Sequence, residues 1–558
     1  SASVSMLMTM SICHVATTQA SDIDIYKLPD ATKLTIYMML DTSGSMDVSF
    51  MKANGYTNST DPTVYSACDI TSSSDYDTIA SGEISENGYT RNFCSKGGTT
   101  YFYFRKNVTT NNKGVTTTTW YNCISNATTG TTTNCKTLAS TPTSLVGYAT
   151  STSSNDTYYY RVNNPTKKAY DRISRLKDAL YAIATTSDIP ATTKIGVGTY
   201  SYGGSGKVGY VRINADEWGA ASSVNTFGSQ RNKLLTLING MSGSGGTPTA
   251  QAYAEAAAAL LGTTSGSKGG IGNAEDGSTE TVSSKIYYKR PVDDTEPKCS
   301  GKGIYVLTDG LPSTATDASS IMTSALTKRG GSITRYDSSA GTFSDKTSNG
   351  WFEIGKFARS LMKQGNLTDF FASLKNNDNH QVKTAVVGFG SEFNITDTSI
   401  KKILTDPKSG KVRTYYNCSQ INGDDQKNTC YWGNKTKFSD GTTVPGIGNP
   451  PSYGEGGFYS ASSTSEVINS FKNFVDDMKP EFDPVPTGSP TIPVDALNPI
   501  QLQPYGYYTS FTPKPHETYQ LWLGNLNKYH IKDGRLYDTT KLIALITSSG
   551  ELNKAATG

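Results

Sequence analysis

Short apolar runs alternate along the chain with segments of helical periodicity. Each run is nearly continuous, as expected for a strand that is buried on both faces of a sheet. The four runs are Lys33–Leu40, Lys194–Tyr200, Gly303–Thr308 and Val382–Phe389. The helical segments repeat apolar side chains every three or four residues. These side chains are Ile173, Leu176, Leu180 and Ile183, then Ile354, Phe357 and Leu361, and finally Val467, Phe471, Phe474 and Met478.

Two further signals support the helices. The segment Thr249–Leu261 is rich in Ala, the residue with the highest helix propensity. Ser463 and Glu466 have the Ser-x-x-Glu spacing of a capping box, directly before the last periodic segment. Strands that alternate with helices predict an α/β fold with a doubly wound, mostly parallel sheet that is covered on both faces.

Long segments interrupt this alternation. Residues 47–167 are rich in Thr, Asn, Ser and Tyr and contain four cysteines. Aromatic stretches at Tyr101–Val108 and Tyr158–Val162 predict short strands. The segment is therefore expected to be a disulfide-linked β subdomain or a long β-rich excursion. Smaller insertions are expected at 263–302 and 391–458, which leaves the α/β domain to residues 21–46 and 168–478.

The two ends of the sequence differ from this central part. Residues 1–20 resemble the tail of a signal peptide with cleavage after Ala20, although a buried structural helix is the alternative. Residues 479–504 contain seven prolines and predict a semi-rigid linker. Residues 505–558 are aromatic and β-rich, with a turn at Asp533-Gly534, and are expected to begin another all-β domain. No later stretch approaches the roughly 20 apolar residues of a transmembrane helix.

The eight cysteines contain no Cys-x-x-Cys motif, and the chain has only four histidines, so zinc has little support. In an exported protein the expected state of cysteine is the disulfide. Pairing between neighbours in the sequence would join Cys68 to Cys94, Cys123 to Cys135 and Cys418 to Cys430. Cys13 would leave with the signal peptide, so this pairing leaves Cys299 without a partner, and spacing alone does not fix the connectivity.

Composition narrows the range of functions. The 51 basic and 48 acidic residues are spread along the chain without a basic stripe, so nucleic acid is not expected as a partner. A hydrophobic content of 35% with 53 glycines and 34 tyrosines suits surface loops and β-rich regions. The histidines are scattered and no Ser/His/Asp or Cys/His arrangement is apparent. The sequence therefore predicts a protein that is not an enzyme.

Three separated segments have the chemistry of a metal site. Asp41-Thr-Ser43-Gly-Ser45 follows the first strand, Gly-Gly-Thr247-Pro precedes the Ala-rich helix, and Asp309-Gly follows the third strand. Loops at the carboxyl ends of strands in an open α/β sheet meet at one edge. Hydroxyl and carboxylate oxygens suit a hard cation such as Mg²⁺, with Mn²⁺ or Ca²⁺ as alternatives. Because only two ligands are charged, the metal would attract one more carboxylate, from an Asp or Glu of a partner.

These motifs resemble the von Willebrand factor A (VWA) domain and its metal-ion-dependent adhesion site (MIDAS), in which Asp-x-Ser-x-Ser is followed by a distant Thr and then by Asp-Gly. The resemblance implies a Rossmann-like fold and a role in adhesion. The chain departs from the family pattern at one point. The first helix normally follows the Asp-x-Ser-x-Ser loop directly, whereas here it is expected at about 166–184, after the insertion. This departure bears on the geometry of Ser45.

The order of domains adds a narrower resemblance, to the PilY/PilC family of type IV pilus tip-associated adhesins and pilus biogenesis factors of Gram-negative bacteria. The run Tyr519–Tyr529 (YQLWLGNLNKY) is similar to the entry of that family's C-terminal β-propeller. The resemblance implies secretion through the inner membrane and a location outside the cell, at the pilus tip or the outer membrane surface. The implied partners are minor pilins at the tip and a host or surface ligand.

The resemblance to the PilY/PilC family implies a further cation, and the sequence also fits an alternative function. In the family the propeller has a calcium loop, so Ca²⁺ is expected in a C-terminal domain of which this sequence contains the start. The alternative function is that of a generic secreted or surface VWA protein, which binds a matrix or a surface and has no pilus role.

Overall fold

The computed structural model describes most of the α/β region and parts of the remaining chain. The described residues are 34–48, 67–70, 78–97, 99–123, 135–142, 148–153, 155–163, 166–201, 209–264, 273–274, 277–291, 301–310, 312, 318–327, 343, 350–362, 381–448, 450, 453–479, 490–491, 504–512, 523–533, 535–538, 540, 542–546 and 553. The chain has two compact units, of which the first is Thr32–Pro480 and the second contains residues 481–558. The predicted signal peptide lies outside the described residues.

A seven-stranded sheet forms the centre of the first unit. Its strands are β1 (Thr35–Asp41), β2 (Lys194–Tyr200), β3 (Gly209–Glu217), β4 (Asn273–Ala274), β5 (Lys302–Thr308), β6 (Val382–Phe389) and β7 (Glu455–Ala461). They are ordered β4-β3-β2-β1-β5-β6-β7. Every neighbouring pair is parallel except β2 and β3. The predicted mostly parallel sheet is therefore confirmed, and all four predicted runs lie in it.

Helices cover both faces of this sheet. They are α1 (Arg172–Thr185), α2 (Gln230–Gly240), α3 (Thr249–Leu261), α4 (Ala318–Ala325), α5 (Trp351–Met362), α6 (Asp424–Gly433) and α7 (Thr464–Met478). Alternate side chains of β1 point to opposite faces. Ile36 and Met38 belong to a core with α1, α2 and α7, whereas Tyr37 and Met39 belong to a core with α3 to α6. The predicted capping box of Ser463 and Glu466 is present at the start of α7.

The first helix begins later than the sequence predicted. Residues Lys167–Tyr170 form a strand that pairs with Thr90–Lys96 of the insertion, so they cannot also be helical. Asp171 then caps α1, because its carboxylate accepts a hydrogen bond from the amide of Ser174. The helix therefore starts at Arg172.

The long insertion is β-rich, as predicted. A three-stranded sheet contains Thr78–Ile84, Thr90–Lys96 and Lys167–Tyr170, and a five-stranded sheet contains Thr99–Thr110, Thr116–Cys123, Cys135–Thr137, Tyr148–Ser153 and Asp156–Asn163. The two aromatic stretches lie in the strands Thr99–Thr110 and Asp156–Asn163, which pair with each other. Disulfides join Cys68 to Cys94 and Cys123 to Cys135, the local pairs that the spacing suggested.

The smaller insertions contribute to the domain in different ways. Within 263–302 lies a hairpin of Thr279–Val282 and Lys285–Tyr288. Within 391–458 lies a second hairpin, of Lys401–Thr405 and Val412–Tyr416. The same segment supplies α6 and the start of β7. Trp432 of α6 is buried in the core that also contains Tyr37 and Met39. A third disulfide joins Cys418 to Cys430.

The second unit contains a four-stranded antiparallel sheet, whose strands are Pro490–Thr491, Tyr505–Thr512, Leu523–Lys532 and Arg535–Tyr537. Asp533 has a positive φ of 50° at the predicted turn. Pro490–Thr491 pairs within this sheet, so the predicted linker 479–504 includes a strand. Among the described residues, no helix is long and apolar enough to cross a membrane.

Candidate metal-binding site

Asp41 is the last residue of β1, the strand from which the order of the following strands extends to both sides of the sheet. The neighbours of β1 are β2 on one side and β5 on the other, and ligands of open α/β sheets bind at such a switch point. The Asp41 side chain is fully buried. Its Oδ1 accepts a hydrogen bond from the Ser43 amide at 2.9 Å, and its Oδ2 accepts from Thr308 Oγ1 at 3.2 Å and from the Asp309 amide at 3.3 Å.

Ser43 and Ser45 lie in the tight turn that follows. A single 3₁₀ turn at Gly44–Met46 brings their hydroxyl oxygens to 3.1 Å from each other. Ser43 is buried, whereas Ser45 is partly exposed. The turn therefore presents two neutral oxygens beside the Asp41 carboxylate, on a side that solvent reaches.

The loop of Thr247 is joined to this turn by backbone hydrogen bonds. Gly44 donates from its amide to the carbonyl of Gly245 at 3.1 Å, and Ser244 donates to the carbonyl of Thr42 at 2.8 Å. Thr247 itself is partly exposed, and its carbonyl accepts from the Thr249 amide at the start of α3. The second predicted segment thus reaches the same edge of the sheet as the first.

Asp309 follows β5 and is also buried. It lies beside Asp41, and Arg172, the first residue of α1, donates to its Oδ2 from Nη1 at 3.0 Å. Arg172 is only 2% exposed. Sequence reasoning missed this arginine, since its position at a helix start gives no sign of a partner 137 residues away.

Two buried carboxylates lie next to each other at this edge of the sheet, and one of them, Asp309, forms an ion pair with Arg172. Burial, and then the charge of Asp309, raises the pKa of Asp41 to about 8, although hydrogen bonds from Ser43 and from the Asp309 amide partly offset the rise. A cation between the two carboxylates would relieve this repulsion. Among the described residues, no three His, Cys, Asp or Glu side chains group to hold a metal ion. A cation here would therefore need hydroxyl oxygens as well, and this donor set fits a hard divalent ion.

Two buried carboxylates directly after the turn and at the start of α1 accept hydrogen bonds that hold the turn in place. Asp47 accepts from the Gly243 amide and from Asn92 Nδ2, both at 2.9 Å. Asp171 accepts from the Val48 amide at 3.1 Å. Burial, and then the charge of Asp47, raises the pKa of Asp171 to about 8. Because Asn92 belongs to the long insertion, that insertion helps to hold the turn in place.

The structure thus brings Asp41, Ser43, Ser45 and Asp309 into one connected group and places the loop of Thr247 against it. The six predicted disulfide cysteines form three disulfides. Comparison with protein-family models, with curated proteins and with solved structures finds no match for this chain.

Proposed function

We propose that this chain is an exported adhesion protein whose α/β region is a VWA-type domain with a MIDAS. In this proposal Asp41, Ser43, Ser45 and Thr247 bind a divalent cation, Mg²⁺ with Mn²⁺ or Ca²⁺ as alternatives, and Asp309 contributes its charge directly or through water. The observation that supports this most is the convergence of Asp41 and Asp309, 268 residues apart, at the switch point of the sheet.

The donor set accounts for adhesion. When bound, the metal would supply a Lewis-acidic centre that accepts a carboxylate oxygen from outside. The residues of the chain do the rest: Asp41 and Asp309 provide two negative charges, and the hydroxyls provide neutral oxygens that leave part of the positive charge unbalanced. The open side at Ser45 and Thr247 gives a partner's Asp or Glu access. The three disulfides suit an extracellular location.

The narrower proposal places the protein at the tip of a type IV pilus, with minor pilins as partners. It is supported by the similarity of the run Tyr519–Tyr529 to the PilY/PilC family and by an antiparallel β unit after the α/β domain. The generic VWA adhesion protein without a pilus role is the competing proposal. Neither involves catalysis.

Metal binding gives the direct test. After treatment with EDTA, addition of Mg²⁺ or Mn²⁺ should raise the melting temperature, because a ligand that binds only the folded state stabilises it by mass action. Asp41→Asn should abolish the rise, since the amide removes one of two buried charges. Asp216→Asn is the matched control, because this exposed carboxylate lies at the opposite edge of the sheet. An equal rise in Asp41→Asn and in the wild type would refute the site.

A further inference from the structure

Arg172 has carboxylates on more than one side. Its Nη1 donates to Asp309, and its Nε and Nη2 donate to Oδ1 of Asp69 at 3.0 and 2.6 Å. Glu392 lies 3.9 Å from Nη2 and is 47% exposed. A buried arginine is therefore shared between a predicted metal ligand and a carboxylate of the long insertion.

The position of Asp69 is well determined by its contacts. Arg175, one turn along α1, donates to its Oδ2, and the amide of Ser391 donates to its Oδ1 at 3.0 Å. Burial would raise the pKa of Asp69, but Arg172 and Arg175 outweigh burial and lower it, so the group is ionised. Asp69 adopts a positive φ of 53°, which Asp and Asn tolerate better than other side chains.

The space for Arg172 is also specific. Gly390 has a φ of 127°, and a Cβ there would lie 2.7 to 2.8 Å from the guanidinium. A glycine at the end of β6 therefore lets the arginine approach Asp309. The pair Asp69 and Gly390 fixes Arg172 from two independent segments.

We propose that Arg172 is an internal cation that competes with the metal for Asp309, and that Asp69 draws it away, so that the long insertion sets the metal affinity of the site. This inference rests on the proposed metal site. Asp69 satisfies two of the donors of Arg172 and balances its charge, and without Asp69 the guanidinium would have Asp309 as its main partner. A cation that binds Asp309 more tightly leaves less negative charge for a metal.

The test measures the affinity of Mn²⁺ for the full chain by calorimetry after removal of metals. Asp69→Asn should weaken binding about tenfold, because the guanidinium of Arg172 then loses its second carboxylate partner and its full charge stays on Asp309. Asparagine keeps the shape and the positive φ of Asp69. Arg172→Met should tighten binding, and in that background Asp69→Asn should change the affinity less than about twofold.

Asp178→Asn is the matched control. Asp178 also joins α1 to the insertion, through Tyr89 at 2.5 Å and Arg91 at 3.4 Å, but it lies almost two turns beyond Arg172. The Asp178→Asn substitution should weaken docking of the insertion on α1 and leave the Mn²⁺ affinity unchanged. Thermal melts of each variant show whether the fold is kept. If Arg172→Met does not fold, the comparison of Asp69→Asn with Asp178→Asn decides alone.

The outcomes separate this inference from the proposed function. Loss of Mn²⁺ binding in Asp41→Asn together with an unchanged affinity in Asp69→Asn would overturn the inference and leave the metal site standing. Weaker binding in folded Arg172→Met would also overturn it, because the arginine would then only position Asp309. Equal binding by Asp41→Asn and the wild type would refute the site itself.

Discussion

Asp41 and Asp171 are buried carboxylates whose pKa values are raised to about 8, first by burial and then by a neighbouring acid. An ordinary Asp has a pKa of about 4 in an unfolded chain. Between these values the folded state binds more protons than the unfolded state, so the free energy of unfolding decreases as the pH rises. In the metal-free protein, both groups therefore stabilise the folded state most at the acidic end of this pH range.

We expect the EDTA-treated protein to lose stability between about pH 5 and pH 8, with each such group contributing at most about 1.4 kcal/mol per pH unit. Urea denaturation at pH 5, 6.5 and 8 would measure the slope. Asp171→Asn should reduce the slope, because one of the two buried titrating groups is removed. Asp216→Asn, at an exposed position, should keep it. A stability that increases over this range would contradict the prediction.

Helix α3 illustrates the scale of single elements. All thirteen of its residues are buried, because it lies between the sheet and helices α4 and α5. Its alanines are therefore required by close packing as well as by helix propensity. At the tightest point, a Cβ on Gly209 of β3 would lie 2.6 Å from the Cα of Ala252.

Gly209→Ala should destabilise the domain by about 1 to 3 kcal/mol, the usual cost of overpacking, because the helix backbone would have to move. Gly240→Ala is the control at the end of α2, where a Cβ would meet no atom within 4 Å. That change should leave the stability unchanged or slightly higher. Chemical denaturation of both variants compares them, and equal stabilities would mean that α3 does not pack against β3 as closely as the structure indicates.

At the scale of the whole molecule, the candidate metal site lies within the unit Thr32–Pro480, and the antiparallel sheet of residues 490–537 lies in the other unit. Adhesion and assembly into a pilus would then belong to different parts of the chain. A point mutation in the first unit should therefore separate the two roles.

If the chain is a pilus-tip protein, as proposed, deletion of its gene in the piliated host cell should reduce surface piliation and attachment. A chromosomal Asp41→Asn mutation should reduce attachment and leave piliation nearly normal, because the second unit is unchanged. Electron microscopy of pili and counts of attached cells measure the two effects. Normal pili and pilus-dependent attachment after deletion would instead favour the generic adhesion protein.

Much of the fold could be predicted because its elements have strong local patterns. Continuous apolar runs marked the central strands, and Thr249–Leu261 and the capping box at Ser463 marked two helices at their observed positions. Strand β3 was not predicted, because it has no continuous apolar run. Its residues Val211, Ile213 and Ala215 instead alternate with more exposed ones. The start of α1 was misplaced because pairing of Lys167–Tyr170 with another strand is a tertiary contact.

The sequence alone predicts the donors of the candidate site, because Asp41, Ser43 and Ser45 are neighbours in one motif, Thr247 precedes the Ala-rich helix and Asp309 follows an apolar run. It could not determine the charges around them. Arg172 pairs with Asp309 and with Asp69 only because the sheet and the insertion bring them together. Ion pairs across more than 100 residues have no local pattern, since they depend on which segments pack side by side. Only the folded chain therefore places an arginine and a carboxylate of the insertion beside the predicted donors.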